Sequence, residues 1–208
     1  MKFLIADDHA IVRKGLIQLL REEFTMTEIA EATNGNAVLE EVRKQFWDAI
    51  LLDISMPGRN GIEILRQLRK NGIKTPILVI SMYPDVQYAI RALKAGASGF
   101  LSKESANEEL LSAVHKILSG RKYISSAIAD RLAETVGELG EIPSHELLSD
   151  REMQVLQLIA SGKTVSQIAG EISLSVNTIS TYRTRILEKI SLHNNAELTR
   201  YALNHHLV

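Results

Sequence analysis

The sequence contains no cysteine in its 208 residues, which excludes disulfides, thiolate metal sites and cysteine nucleophiles. It lacks an apolar run near the roughly 18 residues that a membrane-spanning helix requires, and its apolar start runs at once into Asp7, unlike a secretory signal. It has no internal repeat, and its net charge of −1 argues against an indiscriminate nucleic-acid binder. We therefore expect a cytoplasmic globular protein.

The first 119 residues alternate short β-rich runs with helical patterns, as βαβ units do. The predicted strands are Lys2–Ala6, Thr27–Ala32, Ala49–Asp53, Ile77–Ser81 and Gly99–Leu101. The predicted helices are His9–Arg21, Ala37–Gln45, Gly61–Lys70, Asp85–Ala95 and Ala106–Leu118. This order predicts an α/β fold with a five-stranded, doubly wound parallel sheet of the flavodoxin-like type.

The pattern changes after residue 119, where β-formers become scarce. Four apolar positions at helical spacing predict one amphipathic helix in a linker. These positions are Ile128, Leu132, Val136 and Leu139. Four N-cap signals further on predict a small all-α domain. They are the capping boxes Ser149–Glu152 and Thr164–Gln167, then Ser175, then Asn194 or Asn195.

Polar side chains cluster where the predicted strands end, and they are Asp7, Asp8, Asp53, Ser81 and Lys103. The carboxyl ends of parallel strands meet at the ligand-binding edge of such a sheet. Carboxylates brought together there repel one another unless a hard cation such as Mg²⁺ neutralises them. A lysine in the same crevice suits a phosphoryl group, and a carboxylate nucleophile can form an acyl phosphate.

Each of these residues alone has a simpler interpretation. Asp7 and Asp8 would cap the next helix, Asp53 would be a turn aspartate, and Lys103 would be a surface lysine. Their conjunction at the strand ends of one fold favours a phosphoryl site. An aspartyl nucleophile with Mg²⁺ also suffices for a small-molecule phosphatase, but the sequence shows no substrate-binding insertion and no further general acid.

The C-terminal pattern centres on two helices joined by a short turn, over Thr164–Glu171 and Val176–Ile190. On an ideal helix, one face of the longer helix is polar and points away from the apolar core. This face carries Asn177, Ser180, Thr181, Thr184 and Arg185, with Lys189 beside it. Such a face suits base edges and phosphates in a major groove. The alternative is a solvated helix in a bundle that binds proteins.

Four segments resemble the receiver domain of two-component response regulators, and the whole chain resembles the NarL/LuxR-type subfamily. The segments are Ala6–His9, Leu51–Gly58, Val79–Met82 and Ala95–Lys103. The resemblance implies that Asp53 is the phospho-acceptor, which takes its phosphoryl group from a phosphohistidine on a sensor kinase. It implies that Asp8, Asp53 and the backbone carbonyl of Ser55 hold Mg²⁺, with Asp7 acting through water, and that Lys103 pairs with the phosphoryl oxygens.

The resemblance also implies a switch. Ser81 turns its hydroxyl towards the phosphoryl group, and Phe100 stands at the place of an aromatic residue whose inward or outward rotamer reports phosphorylation. Ser55 and Tyr83 flank the phosphoryl position. Such a two-state element needs a bias of only a few kcal/mol.

Three later segments resemble the LuxR-type DNA-binding domain, and they are Leu148–Leu156, Ile168–Ala169 and Thr178–Ile190. The resemblance implies that Ser180, Thr181 and Thr184 read bases and that Thr178, Arg185 and Lys189 contact the DNA backbone. Many relatives have histidine at the position of Tyr182, so the identity of the recognised bases does not carry over.

The sequence thus predicts a receiver over residues 1–119, a partly helical linker over 120–147 and a helix-turn-helix domain over 148–208. We expect a phosphorylation-controlled regulator of transcription, not an enzyme beyond assisting the chemistry at Asp53. Its expected partners are a sensor histidine kinase, double-stranded DNA and a second copy of the chain, with Mg²⁺ as cofactor and no membrane. The alternative is a constitutive DNA-binding protein whose receiver only docks proteins.

Two further expectations concern pairing of the chain. The last helix, with Leu198, Tyr201, Ala202 and Leu207, is the predicted contact between two tails. Residues 148–208 carry a net charge of only +1, whereas residues 1–119 are neutral and residues 120–147 carry −2. A tail this weakly basic should bind DNA weakly alone and gain affinity when two copies are joined.

Overall fold

The structure is a computed structural model that describes residues 1–82, 86–126, 128–130, 144–205 and 207–208. The chain divides into two compact units, residues 1–133 and 134–208. Within the described residues, no helix has both the length and the apolar character needed to cross a membrane. Tyr83 and most of the predicted linker helix lie outside the described residues, although Ile128 is helical.

The first unit is built on a parallel sheet with the strand order β2-β1-β3-β4-β5-β6. The strands are β1 (Lys2–Ala6), β2 (Glu28–Ala32), β3 (Ala49–Asp53), β4 (Ile77–Ser81), β5 (Gly99–Ser102) and β6 (Tyr123–Ile124). The doubly wound α/β architecture is confirmed. The predicted count of five strands is wrong, because the sheet has six.

The sixth strand exists because β5 begins with glycine. Tyr123 pairs with Gly99, and a Cβ placed on Gly99 would lie 2.9 Å from the carbonyl oxygen of Tyr123. The missing side chain therefore allows the backbone after the last helix of this unit to approach the sheet edge. A strand of two residues is too short to show an alternating pattern in the sequence.

Five helices cover the sheet, and they are α1 (Ala10–Glu23), α2 (Gly35–Lys44), α3 (Gly61–Lys70), α4 (Val86–Lys94) and α5 (Ala106–Leu118). One core joins α1 and α5 to the sheet face that carries Phe3, Leu51 and Leu101. Side chains alternate along a strand, so Leu52, Val79 and Phe100 point to the other face. The helices α2, α3 and α4 are neighbours in that order.

In the second unit, the described residues start with a 3₁₀ turn over Ser144–Leu147 and continue with four described α-helices. These helices are α6 (Asp150–Ala160), α7 (Val165–Glu171), α8 (Val176–Lys189) and α9 (Asn195–Asn204). Both predicted capping boxes are formed, and Ser175 and Asn194 cap α8 and α9 through their side chains. The helix α6 contacts α8 and α9, while α7 packs against α8, which is the geometry of a helix-turn-helix.

Candidate functional site

The carboxyl edge of the sheet brings four of the predicted residues together. Asp53 and Ser81 are the last residues of β3 and β4, while Asp7 and Lys103 directly follow β1 and β5. Because β1, β3, β4 and β5 are adjacent and parallel, their carboxyl ends lie side by side. We call Asp7, Asp8, Asp53, Ser81 and Lys103 the acidic pocket.

The centre of the acidic pocket is a buried charge bridge. The Nζ atom of Lys103 lies 2.7 Å from Oδ2 of Asp7 and 2.8 Å from Oδ2 of Asp53. The two aspartates are each 1% exposed, and the side chain of Lys103 is 4% exposed. The backbone N–H of Ser55 donates to Oδ1 of Asp53 at 3.2 Å. These contacts fix the carboxylate of Asp53 at the carboxyl edge of the sheet.

Burial and neighbouring charge shift the protonation of this bridge. Burial raises the pKa of Asp53, the ammonium of Lys103 opposes that shift, and the carboxylate of Asp7 adds to it. Burial also disfavours the charged form of Lys103, but the carboxylates of Asp53 and Asp7 outweigh it and raise the pKa of Lys103. Lys103 is therefore a firmly protonated cation, and the site holds more negative charge than one lysine can balance.

Oxygen ligands converge in the same place. Asp7, Asp8, His9 and Asp53 each offer one ligand atom, and these atoms lie within 4.8 Å of one another. The hydroxyl of Ser55 is buried and has no hydrogen-bond partner within the described chain. A set dominated by carboxylate oxygens with excess negative charge fits a hard divalent cation such as Mg²⁺.

Two residues that the sequence patterns gave no role, His9 and Arg13, support the pocket, and His9 lies beside it as its position next to Asp8 suggests. The backbone N–H of His9 donates to Oδ1 of Asp7 at 2.7 Å, and its Nδ1 lies 2.8 Å from Oδ1 of Asp8. Arg13 donates from Nη1 to the backbone carbonyl of Asp7 at 2.8 Å and pairs with Glu31 at 2.5 Å. The sequence signal that could have identified Arg13 is its spacing. It lies in α1, one helical turn after the N-cap His9, and so on the side of the helix near the end of β1.

The predicted switch residues lie inside the first unit. Ser81 and Phe100 are fully buried, each with 0% exposure. Phe100 is paired with Val79 in β4 and with Ile124 in β6, two positions before Ser102 at the end of β5. The ring is therefore fully buried, and its strand is next to the one that ends at Ser81.

The predicted DNA-contacting residues all lie on α8. Ser180, Thr181, Thr184, Arg185 and Lys189 are exposed and Thr178 is half-buried, whereas Ile179 and Ile186 are buried in the unit. The hydroxyl of Thr181 donates to the carbonyl of Asn177 at 2.9 Å, and that of Thr184 donates to the carbonyl of Ser180 at 3.2 Å. The two hydroxyl oxygens can still accept a hydrogen bond from a ligand. Each hydroxyl must rotate away from its backbone carbonyl before it can donate one.

The cations of α8 differ in their surroundings. Arg185 has no hydrogen bond or ion pair within the described chain and is exposed. Lys189 pairs with Oε2 of Glu152 at 2.6 Å, and the side chain of Glu152 is only 4% exposed. Arg183 donates to Oδ1 of Asn195 at 2.5 Å. Of these three cations, Arg185 alone has no acceptor among the residues that the structure describes.

The expected contact between two tails through the last helix is wrong for three of its four residues. Leu198 and Ala202 are 0% exposed because this side of α9 packs against α6 in the same unit, and Leu207, which follows α9, is 2% exposed. Tyr201 is half-buried, and its hydroxyl lies 3.0 Å from Nδ1 of His145. The apolar face that suggested a partner is needed to complete the core of this small unit.

Comparison with known proteins agrees with both units. Residues 3–115 match the family model of the response regulator receiver domain, and residues 146–202 match that of bacterial regulatory proteins of the luxR family. The chain is 33% identical over 206 residues to the response regulator UvrY of Escherichia coli, which covers 98% of this chain and 94% of that protein.

Solved structures of RcsB are similar over nearly the full length. RcsB of Salmonella enterica serovar Typhimurium, bound to promoter rprA with the phosphomimetic BeF₃⁻, is 26% identical with a TM-score of 0.64, and 97% of each chain is covered. A structure of two RcsB dimers bound to two parallel DNAs is 26% identical with a TM-score of 0.62, again with 97% of each chain covered.

Proposed function

The chain belongs to the two-component response regulators that join a receiver to a LuxR-type DNA-binding domain, and we propose that phosphorylation of Asp53 controls its binding to DNA. The observation that carries the proposal is the buried bridge of Asp7, Lys103 and Asp53 at the carboxyl edge of the sheet. We assign residues 1–119 to the receiver, 120–147 to the linker and 148–208 to the DNA-binding domain.

In the proposed step, a carboxylate oxygen of Asp53 attacks the phosphorus of a phosphohistidine on a sensor histidine kinase. An O–P bond forms, the P–N bond breaks, and the imidazole leaves with its electron pair. Lys103 is already 2.8 Å from Asp53, so its ammonium lies where negative charge gathers on the phosphoryl oxygens. The backbone N–H of Ser55 keeps the other oxygen of Asp53 oriented.

Asp8 and Asp53, with the backbone carbonyl of Ser55 and with Asp7 through water, would hold Mg²⁺. When bound, the ion neutralises the clustered carboxylates and the incoming phosphoryl charge. The chain's own contribution is the convergence of the carboxylates of Asp7, Asp8 and Asp53 within 4.8 Å and the exclusion of water by the buried strand ends. We propose that the receiver is no enzyme beyond assisting phosphorylation and dephosphorylation at this aspartate.

Transmission to the surface would start at Ser81. A phosphoryl group on Asp53 offers new acceptors to the Ser81 hydroxyl, and movement of that side chain leaves space on the sheet face that carries Phe100. Phosphorylation would then favour a dimer, since two DNA-binding units read paired half-sites. The RcsB dimers bound to DNA support this assembly by similarity.

We propose that α8 enters the major groove, with Ser180, Thr181 and Thr184 at base edges and Thr178 and Arg185 at phosphates. Lys189 reaches a phosphate only if it leaves Glu152, so we place it at the margin of the interface. Because the proposed ligand is DNA, the expected location of the protein is the cytoplasm.

The experiment that tests the phosphorylation is intact-protein mass spectrometry after incubation with acetyl phosphate and Mg²⁺. We expect one added phosphoryl group on the wild type and on Asp130→Asn, which changes an exposed aspartate, but none on Asp53→Asn. Omitting Mg²⁺ should abolish the modification. Equal labelling of the Asp53→Asn variant would overturn the assignment.

A further inference from the structure

A cavity lies at the opposite edge of the sheet, where the strands begin. It has a volume of about 470 Å³ and is lined by residues that precede β4, β5 and β6, among them Pro76, Ser98 and Lys122. β4 has five residues, so a rise of about 3.3 Å per residue separates this cavity from the acidic pocket by roughly 16 Å. We call it the amino-edge pocket.

The amino-edge pocket is strongly basic. Its lining includes Arg69, Lys74, Arg121 and Lys122, and none of the described residues that line it is acidic. None of these four cations has a carboxylate within 4.0 Å in the described part of the chain. Four like charges around one cavity repel each other unless an anion is present.

The C-terminal ends of three helices offset part of this positive charge but not all of it. The helices α3, α4 and α5 end at the pocket, where Gly72, Gly96 and Gly120 adopt φ values of 79°, 98° and 77°. A helix C-terminus carries about half a negative charge, so three of them contribute roughly −1.5. Against four cations this leaves an excess of roughly two to three positive charges.

Arg69 is held in place before any ligand arrives. Its Nε donates to the carbonyl of Gly96 at 2.9 Å, and its Nη1 donates to the carbonyl of Ile73 at 2.7 Å. A Cβ on Gly96 would lie 3.0 Å from Cγ of Arg69, so the glycine makes room for this side chain. The half-buried guanidinium keeps its remaining N–H groups for another acceptor.

Lys122 brings a second cation close to Arg69. Its Nζ donates to the carbonyl of Ala97, next to the glycine that contacts Arg69. Burial lowers the pKa of Lys122, and the charge of Arg69 lowers it further. Lys74 and Arg121 also line the cavity, and both are exposed, which places them at its rim.

We propose that the amino-edge pocket binds a small anion that carries two or more phosphate groups. The excess of roughly two to three positive charges matches such an anion, and a cavity of about 470 Å³ has the size of small-molecule sites. The fixed guanidinium of Arg69 offers the planar donor pair that phosphate prefers, and the rim cations provide attraction at longer range.

The test is calorimetric titration of the full chain with inorganic pyrophosphate in EDTA, so that no divalent ion draws the anion to the acidic pocket. We compare the wild type with the double variant Lys74→Gln/Arg121→Gln, whose two side chains are exposed and make no ion pair in the described chain. The matched control is Lys14→Gln/Arg21→Gln, which removes two exposed cations from α1.

We expect one binding site, at least about tenfold weaker in the Lys74/Arg121 variant because two positive charges at the rim are lost, and little changed in the control. Amide chemical shifts should move at Gly72, Gly96 and Gly120. No binding by the wild type, equal weakening in both double variants, or shifts confined to the acidic pocket or α8 would each overturn the proposal.

Discussion

The acidic pocket and α8 present their polar groups in opposite ways. Asp7, Asp53 and Lys103 are buried and bind one another, so their geometry is set by the protein alone. The side chains of Thr181 and Thr184 are exposed and donate to their own helix backbone, and Arg185 has no partner in the described chain.

The two sites therefore differ in how far their geometry is fixed before a ligand binds. The acidic pocket is preorganised, and changes there should alter the free energy of unfolding as well as the chemistry. The surface of α8 is completed only by its ligand, and changes there should alter DNA affinity while stability stays nearly constant. Each prediction below tests one side of this contrast.

The largest effect is expected for Lys103→Met in the absence of divalent ions. Removing the cation leaves two buried carboxylates unpaired, which should lower the free energy of unfolding of the first unit by about 3 to 5 kcal/mol at neutral pH. Urea denaturation followed by the fluorescence of Trp47 measures it, because this is the single tryptophan and is 5% exposed.

Two controls sharpen that result. Lys14→Met removes an exposed lysine and should change stability by no more than about 0.5 kcal/mol. Adding Mg²⁺ should restore part of the loss in Lys103→Met, since carboxylates without their lysine bind the ion more strongly. A variant as stable as the wild type would show that the bridge is not preorganised.

The next effect concerns pH and Asp53→Asn, again without divalent ions. Burial raises the pKa of Asp53 above that of the unfolded chain, so the wild type loses stability as pH rises through the folded-state pKa. Asparagine does not ionise, so the variant should become the more stable protein by about 1.4 kcal/mol for each pH unit between the unfolded and folded pKa values.

Below about pH 4, where the unfolded aspartate is also protonated, the two proteins should converge. Denaturation curves from about pH 3 to 8, with Asp130→Asn as the exposed control, provide the comparison. A wild type that stays more stable than Asp53→Asn at neutral pH would contradict the assigned direction of the pKa shift.

The smallest effects come from two cations of α8 that differ in their partners. Arg185→Ala should weaken DNA binding by about tenfold and reduce the salt dependence by about one phosphate contact, with stability unchanged. Lys189→Ala should instead lower stability by about 1 kcal/mol, because half-exposed Lys189 pairs with buried Glu152.

Anisotropy titrations at several salt concentrations, paired with thermal unfolding, separate these outcomes. If Lys189→Ala lost as much affinity and salt dependence as Arg185→Ala without any loss of stability, the distinction between a bound and a free cation on α8 would be wrong.

Much of the acidic pocket was predictable because its residues stand at strand ends, and parallel strands bring their ends together without further information. Asp53 and Ser81 needed only the pattern of buried strands. The N-caps Ser149, Thr164 and Ser175 were predictable for a similar reason, since a cap acts within one turn of its own helix.

What the sequence did not predict depends on contacts between distant elements. β6 rests on the approach of Tyr123 to Gly99, and the ion pair of Lys189 rests on the packing of α8 against α6. The apolar side of α9 has the same helical pattern whether it covers α6 or a second chain. Only the three-dimensional structure shows that Leu198 is used inside the unit.

The central claim is that the modification of Asp53 controls DNA binding. The most direct test is the affinity of the full chain for a sequence selected from random DNA, measured with and without acetyl phosphate and Mg²⁺. We predict a gain of about tenfold or more on phosphorylation, and none in Asp53→Asn. Complete modification of Asp53 with unchanged affinity would contradict the account and favour a constitutive DNA-binding protein.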